Sequence, residues 1–434
     1  MSKRLQAFVP DHPKLVLFPG DTEPTWIYRN PADLDRELAN KWGENGDVEA
    51  FREDEARVVS FLQDGYVNAM PPSISDAKDE LGDTLTELWI SGSAKSLLDH
   101  YFTSERSKIY MAMTITESGP VSLSDPYSAF TLPMMDSGSI FGGYYGFVNG
   151  GIWRITEELG KINAELGSKT HLSSMLTNVD TENRQVTFEQ DGIEHKLSFD
   201  VLVLGTDPLT ASRLVGTEDQ VRNTEAQRFR GSSGKLNLMF RNPVRWKHGT
   251  DAAESDAAFR FPFSVETLDD FESTTLGVID DDEAYVPGYA QVYCEGAAMR
   301  QLRHDEPFDR LAVFFKNLSL GDSGDALPEV EERIKKTVLA QIDNPQDCVW
   351  TRLLTPRDLQ QLFHFPGGNL DHTMLVGGQT FFDRTYADDP ATDFYRFADL
   401  DSVYLCGSGT YPCGSVAGTP GYMCSQQLLR RFAD

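Results

Sequence analysis

From residue 31 to about 110, apolar side chains recur every three to four positions. Leu34 and Leu38 are followed by Leu85, Leu88 and Trp89, and then by Leu97, Leu98, Tyr101 and Phe102. That period belongs to helices with one apolar stripe each. Asn30-Pro31-Ala32-Asp33 offers a capping side chain and a first-turn proline, so a helix is expected to open there. Residues 1 to about 30 carry Pro10, Pro13, Pro19 and Pro24 and read as a broken extended segment.

A glycine-rich aromatic stretch follows, Gly142-Gly143-Tyr144-Tyr145-Gly146-Phe147 to Gly150-Gly151. Ile152, Ile155, Leu159, Ile162 and Leu166 then predict a helix that starts after the glycine pair and ends at Gly167. A strand is expected around His171 to Val179, and a hairpin over Val186 to Leu197 turning at Asp191-Gly192. Val201 to Leu204 is a short continuous apolar run closed by Gly205 and Pro208, the pattern of a doubly buried parallel strand. The acidic stretch Glu266 to Glu283 reads as solvated surface. Helical spacing returns at Phe308, Leu311 and Phe315, and again at Val330, Ile334, Val338 and Ile342. Val403 to Cys406 predicts a last strand, followed by a glycine cluster and a final helix.

The length, 434 residues, suits two or three domains, or two threaded through each other. With 40% hydrophobic and 24% charged residues the chain is globular rather than disordered. No run approaches the roughly 20 apolar residues of a membrane span. A net charge of −28 repels nucleic acid and anionic lipid, which removes both as partner classes. Cys294, Cys348, Cys406, Cys413 and Cys424 show no CxxC and no metal-ligand spacing. Together with a start that lacks an apolar signal region, they predict a cytoplasmic protein with reduced thiols.

The densest chemical signal is Gly407-Ser408-Gly409-Thr410-Tyr411-Pro412-Cys413-Gly414-Ser415-Val416-Ala417-Gly418, between a strand and a helix. Bare backbone and a helix start form a seat for a phosphate or a polarised ring oxygen. The same residues equally describe a tight, crowded turn without a ligand. They are no dinucleotide fingerprint, because that requires a βαβ unit of roughly 30 residues and only one helix remains. No GxGxxG follows a strand elsewhere, and the glycine spacing in Arg230 to Lys235 is too short for a Walker loop. His364 and His372 flank Pro366-Gly367-Gly368-Asn369 and read either as structural or as functional histidines. Local spacing assembles no Ser-His-Asp set, carboxylate pair or metal cluster.

Three stretches carry a family resemblance: Ser96-Leu97-Leu98-Asp99 through Gly150-Gly151-Ile152; Leu354-Thr355-Pro356-Arg357-Asp358-Leu359 with Phe365 to Asn369 and His372; and Val403 to Gly409 with Pro412, Gly414, Val416 and Gly418. They resemble the phytoene dehydrogenase-like FAD-dependent oxidoreductases, and look closest to the pyridine nucleotide-disulphide oxidoreductase domain-containing protein 2 branch. The resemblance implies that Gly407, Ser408 and Gly409 lie near the FAD pyrophosphate or ribityl chain. It places Gly414, Ser415 and Val416 near the ring and Leu176 at the adenine, with Pro412 and Gly418 as further cofactor-binding residues. His372 and Tyr411 become the catalytic candidates. Pro412-Cys413-Gly414-Ser415 departs from the usual Pro-Gly-Gly-Gly, and Tyr411 replaces the common His.

The family also opens with a βαβ unit bearing GxGxxG, which this sequence does not contain. A partner polypeptide that supplies the unit, a non-catalytic scaffold or regulatory relative that has lost FAD binding, and a truncation all fit that departure. The expectation is an α/β protein in which an incomplete, Rossmann-like FAD-binding domain (139–231 and 356–434) interleaves with a mixed-sheet substrate domain (232–355) under a helical cap within 1–138. The implied function is that of a split flavin-dependent oxidoreductase subunit. Its partners would be the second polypeptide and an apolar or amphipathic small molecule, for which Phe141, Tyr144, Tyr145, Phe147, Phe363, Phe365, Phe381 and Phe382 would line a pocket.

Overall fold

The structure is a computed structural model that describes residues 4–10, 14–138, 146–227, 230–248, 256–280, 287–318, 327–414 and 418–432. Its strands in chain order are β1 (Ala7–Phe8), β2 (Lys14–Leu17), β3 (Thr25–Ile27), β4 (Phe147–Val148), β5 (Ser174–Asp180), β6 (Gln185–Gln190), β7 (Ile193–Ser198), β8 (Leu202–Leu204), β9 (Gly234–Phe240), β10 (Phe259–Pro262), β11 (Ala290–Tyr293), β12 (Asp309–Phe315), β13 (Cys348–Leu354) and β14 (Val403–Leu405).

The helical block forms as its spacing requires. Asn30 caps the helix Pro31–Trp42 by accepting from the Asp33 N–H, and Gly43 closes it at φ 68°. The helices Val48–Val67, Ala94–Tyr101 and Glu105–Ile115 bury their stripes together, with Phe51 against Trp89 and Phe102 at ring distances of 5.0 and 4.8 Å.

Beneath this cap lies a mixed seven-stranded sheet in the order β13-β9-β12-β11-β10-β2-β3. β10 and β2 run parallel, and the other pairs are antiparallel. The proline-broken start is therefore more ordered than its sequence indicates, because β2 and β3 complete this sheet. Proline confines such strands to short pieces without preventing their pairing.

Two further expectations are corrected here. Phe308, Leu311 and Phe315 do not mark a helix. Asp309–Phe315 is β12, with Leu311, Val313 and Phe315 buried between β9 and β11. An apolar run filled at every position satisfies both periods, and pairing on two sides decides for the strand. The acidic stretch is solvated on one face only, with Glu266, Asp269 and Asp270 exposed. Leu268–Asp280 is a helix that buries Leu268, Phe271 and Val278, with Leu268 N–H donating to Glu105 of the cap at 2.8 Å. The segment 281–283 lies outside the described residues.

The remaining elements form a smaller layer. β5, β6 and β7 make an antiparallel meander, and its hairpin turns at Asp191 (φ 53°) and Gly192 (φ 75°). β8 and β14 form a parallel pair. A second core gathers Leu204, Ala211, Phe397, Val403 and Leu405 around that pair. β8 is not doubly buried as its apolar run implies, since Val203 is 42% exposed. β14 is its one described strand neighbour, so its other hydrogen-bonding edge has no strand partner among the described residues.

Candidate functional site

β8 and β14 end side by side, and Cys406 N–H extends the ladder to Leu204 O at 2.9 Å. Each strand runs into a loop and then a helix, Gly205 to Asp207 before Pro208–Val215 and Cys406 to Gly418 before Thr419–Phe432. Asp207 caps the first helix through Thr210 N–H at 2.9 Å. Parallel strand ends with helices starting beside them are where α/β folds receive ligands.

The tail-loop glycines divide by cause. A Cβ on Gly409 would stand 2.5 Å from the Pro208 ring, so its bareness serves packing against the helix start. Gly407 (φ 113°) and Gly418 (φ 72°) hold left-handed backbone that other residues adopt only under strain. Around a Cβ on Gly205, Gly418 or Gly421 there is nothing within 4 Å, so bare backbone faces open space on both sides of the strand ends. Thr206 Oγ1 and His372 Nδ1 are buried there without a hydrogen-bond partner among the described residues. Orphaned polar groups at the mouth of a parallel pair fit a bound ligand's oxygens and N–H groups.

His372, at φ 66°, lies against Phe365 with ring centroids 5.6 Å apart. Burial holds its pKa below the ordinary histidine value, with Asp207 opposing. Gly414 faces Ser408 Oγ and Asp371 Oδ1, which a Cβ would approach to 3.0 and 3.1 Å. Tyr411 is different. It is fully buried among Tyr66, Phe381 and Phe394, its carbonyl accepts from Tyr395 OH at 2.7 Å, and the peptide to Pro412 is cis. Pro412 is buried beside it. Leu176 packs half-buried against the second core, next to a β-bulge in β5. Ser415 and Val416 lie outside the described residues, as do Phe141, Tyr144 and Tyr145. Phe147 stacks on Phe259 inside the main core, Phe381 and Phe382 also join that core, and Phe363 stacks on Phe365 near the surface.

Two buried cations escaped the sequence reading. Lys316, 1% exposed, donates to Ser233 Oγ at 2.8 Å and to the Glu117 carbonyl, and burial pushes its pKa down to about 8. Arg384 is fully buried and bonded to the tail loop through Ser408 and Thr410. Neither sits in a motif, and their partners come from segments distant in the chain. Burial raises the Asp371 pKa, opposed by Arg384 and then Lys316. Among the described residues no His, Cys, Asp or Glu cluster could hold a metal, and no helix is long and apolar enough to cross a membrane.

The architecture is an α/β fold with mixed sheets, and solved oxidoreductase structures share it over nearly the whole chain. Cyclohexylamine oxidase from Brevibacterium oxydans IH-35A is similar over 99% of this chain and 83% of its own, with a TM-score of 0.54 at 10% identity. In sequence, pyridine nucleotide-disulfide oxidoreductase domain-containing protein 2 of Mus musculus is 37% identical over 78 residues, 18% of this chain and 13% of that protein. An uncharacterized Mycobacterium tuberculosis protein is 25% identical over 305 residues, 66% of this chain and 55% of that relative. The matches thus span a small part of the first relative and about half of the second. No family model matches.

Proposed function

We propose that the chain is one subunit of a flavin-dependent oxidoreductase of the desaturase, dehydrogenase or oxidase type. It would share one FAD with a second polypeptide that carries the GxGxxG unit. The observation that carries this reading is an amphipathic helix turned outward. Along Arg154–Glu165 and its flanks, Ile152, Trp153, Leu159 and Leu166 are 47–78% exposed, while Glu158 is the buried side chain. Covering such a side chain stabilises by about 1.5–3 kcal/mol. Val203 is also exposed on a parallel pair of two strands, and parallel sheets are ordinarily covered on both faces. A βαβ unit brings both the strands and the apolar surface that these elements lack.

The residues at the strand ends fit the cofactor. Gly407, Ser408 and Gly409 would hold its pyrophosphate or ribityl chain, Gly414 its ring and Leu176 its adenine. When bound, FAD accepts a hydride from a C–H or C–N centre and is later reoxidised. His372, kept neutral by burial at pH 7, would take a substrate proton or orient the substrate on its unpartnered ring nitrogen. Tyr411 would shape the ring pocket from within the aromatic core.

The test is to purify the chain alone and again with the products of its neighbouring genes, reading the visible flavin spectrum and the molar mass. A colourless chain alone and a yellow hetero-oligomer are expected. A yellow, stable monomer would refute the shared-cofactor arrangement. A colourless complex whose partner lacks GxGxxG would point to a scaffold.

A further inference from the structure

Arg384 has no carboxylate among its hydrogen-bond partners in the described residues. Nη2 donates to the carbonyls of Ser408 (2.6 Å) and Asp371 (3.0 Å). Nη1 donates to Thr373 Oγ1 (2.6 Å) and Gln379 Oε1 (3.4 Å), and Nε to the Thr410 carbonyl (3.3 Å). The Arg384 carbonyl accepts from Tyr411 N–H at 3.1 Å. One side chain thus ties Ser408 and Thr410 of the tail loop to the segment 371–384.

The C=O and N–H of a trans peptide point in opposite directions. With the Ser408 carbonyl held on the guanidinium, the Gly409 N–H is turned away from Arg384. Among the described residues that N–H has no acceptor. A flipped peptide would set N–H against N–H and leave a fully buried guanidinium short of an acceptor, a costly state. Gly409 also rests against the Pro208 ring, so the loop cannot slide to relieve it.

We propose that Arg384 is the positioning residue of the tail loop. It fixes the Ser408–Gly409 peptide so that the Gly409 N–H is a preset donor to an acceptor oxygen of the bound ligand, a phosphate or a carbonyl. The identity of that ligand rests on the flavin reading, whereas the orientation of the peptide does not.

The experiment compares wild type, Arg384→Gln and Arg384→Lys in the assembled protein by crystallography and by flavin dissociation constant. In Arg384→Gln the Ser408–Gly409 peptide reorients, the dissociation constant rises about tenfold or more, and the visible band of any bound flavin shifts. Arg384→Lys, which keeps the charge and part of the donor set, recovers some of the affinity. A peptide that stays in place, or an unchanged dissociation constant, overturns the proposal. If Arg384→Gln does not fold, the same two readings on Arg384→Lys decide. If the wild-type assembly takes up no flavin, the flavin reading fails, and the peptide's orientation in the variant structures alone judges Arg384.

Discussion

Lys316 holds an ammonium in a place where water does not reach. Burial pushes its pKa from 10.5 down to about 8, against the pull of Glu117 and then Asp371. Above pH 8 the folded lysine has lost its proton, while the unfolded one keeps it up to about 10.5. The unfolded state binds more protons throughout that window, so stability rises with pH there. Below pH 8 both states are charged and the penalty stays constant. We expect the denaturant midpoint to climb between pH 8 and 10, by at most roughly 3 kcal/mol in stability, and the climb to vanish in Lys316→Met. A climb of the same size in the variant would place its origin elsewhere. The local sequence points to His372 and the glycines because glycine clustering shows within a short window. It cannot point to Lys316 or Arg384, since their acceptors (Glu117 and Ser233 for one, Asp371, Ser408 and Thr410 for the other) are brought together only by folding.

At the scale of elements, the helix Arg154–Glu165 shows what a period can and cannot say. Its stripe of Ile152, Ile155, Leu159, Ile162 and Leu166 identifies a helix correctly, and Gly167 (φ 83°) follows it as expected. The period does not say what covers the stripe. Here Glu158 is covered by Lys161 at 2.6 Å and Arg4 at 4.0 Å, while Ile152, Leu159 and Leu166 face out and Ile155 and Ile162 are half-buried. Replacing Leu159 and Leu166 together with Glu should change the stability of the isolated chain by less than about 1 kcal/mol and raise its solubility. In the proposed assembly the same pair would weaken the association with the proposed second polypeptide, read as a shift to free chain in analytical ultracentrifugation. A loss of about 2 kcal/mol or more in the isolated chain would show the stripe to be packed internally.

At the scale of the whole molecule, a charge of −28 acts on every compact state through self-repulsion. Salt shortens the reach of that repulsion, to about 10 Å at 0.1 M. Raising NaCl from about 0.05 to 0.5 M should therefore raise the melting temperature and tighten the proposed assembly on the apolar face. A melting temperature that falls across this range would mean that attractive ion pairs, such as Arg106–Asp21 and Arg310–Glu306, outweigh the repulsion.

The α/β class came from the family resemblance. Periodicity, capping and turn chemistry by themselves determined the helices between residues 31 and 110, the hairpin at Asp191-Gly192 and the strand that leads into the tail loop. Those features rest on neighbours within a few residues of each other, whose spacing the chain carries directly. Tertiary pairing alone decided that β2 and β3 complete the large sheet, that β12 is a strand and that Leu268–Asp280 is half-buried. It also decided that Gly409 is bare because of Pro208, that Arg384 lies buried on the tail loop and that Lys316 lies buried against Ser233 and Glu117. Each of these depends on which distant backbone or ring arrives alongside, and a one-dimensional pattern leaves that contact open until the chain closes on itself.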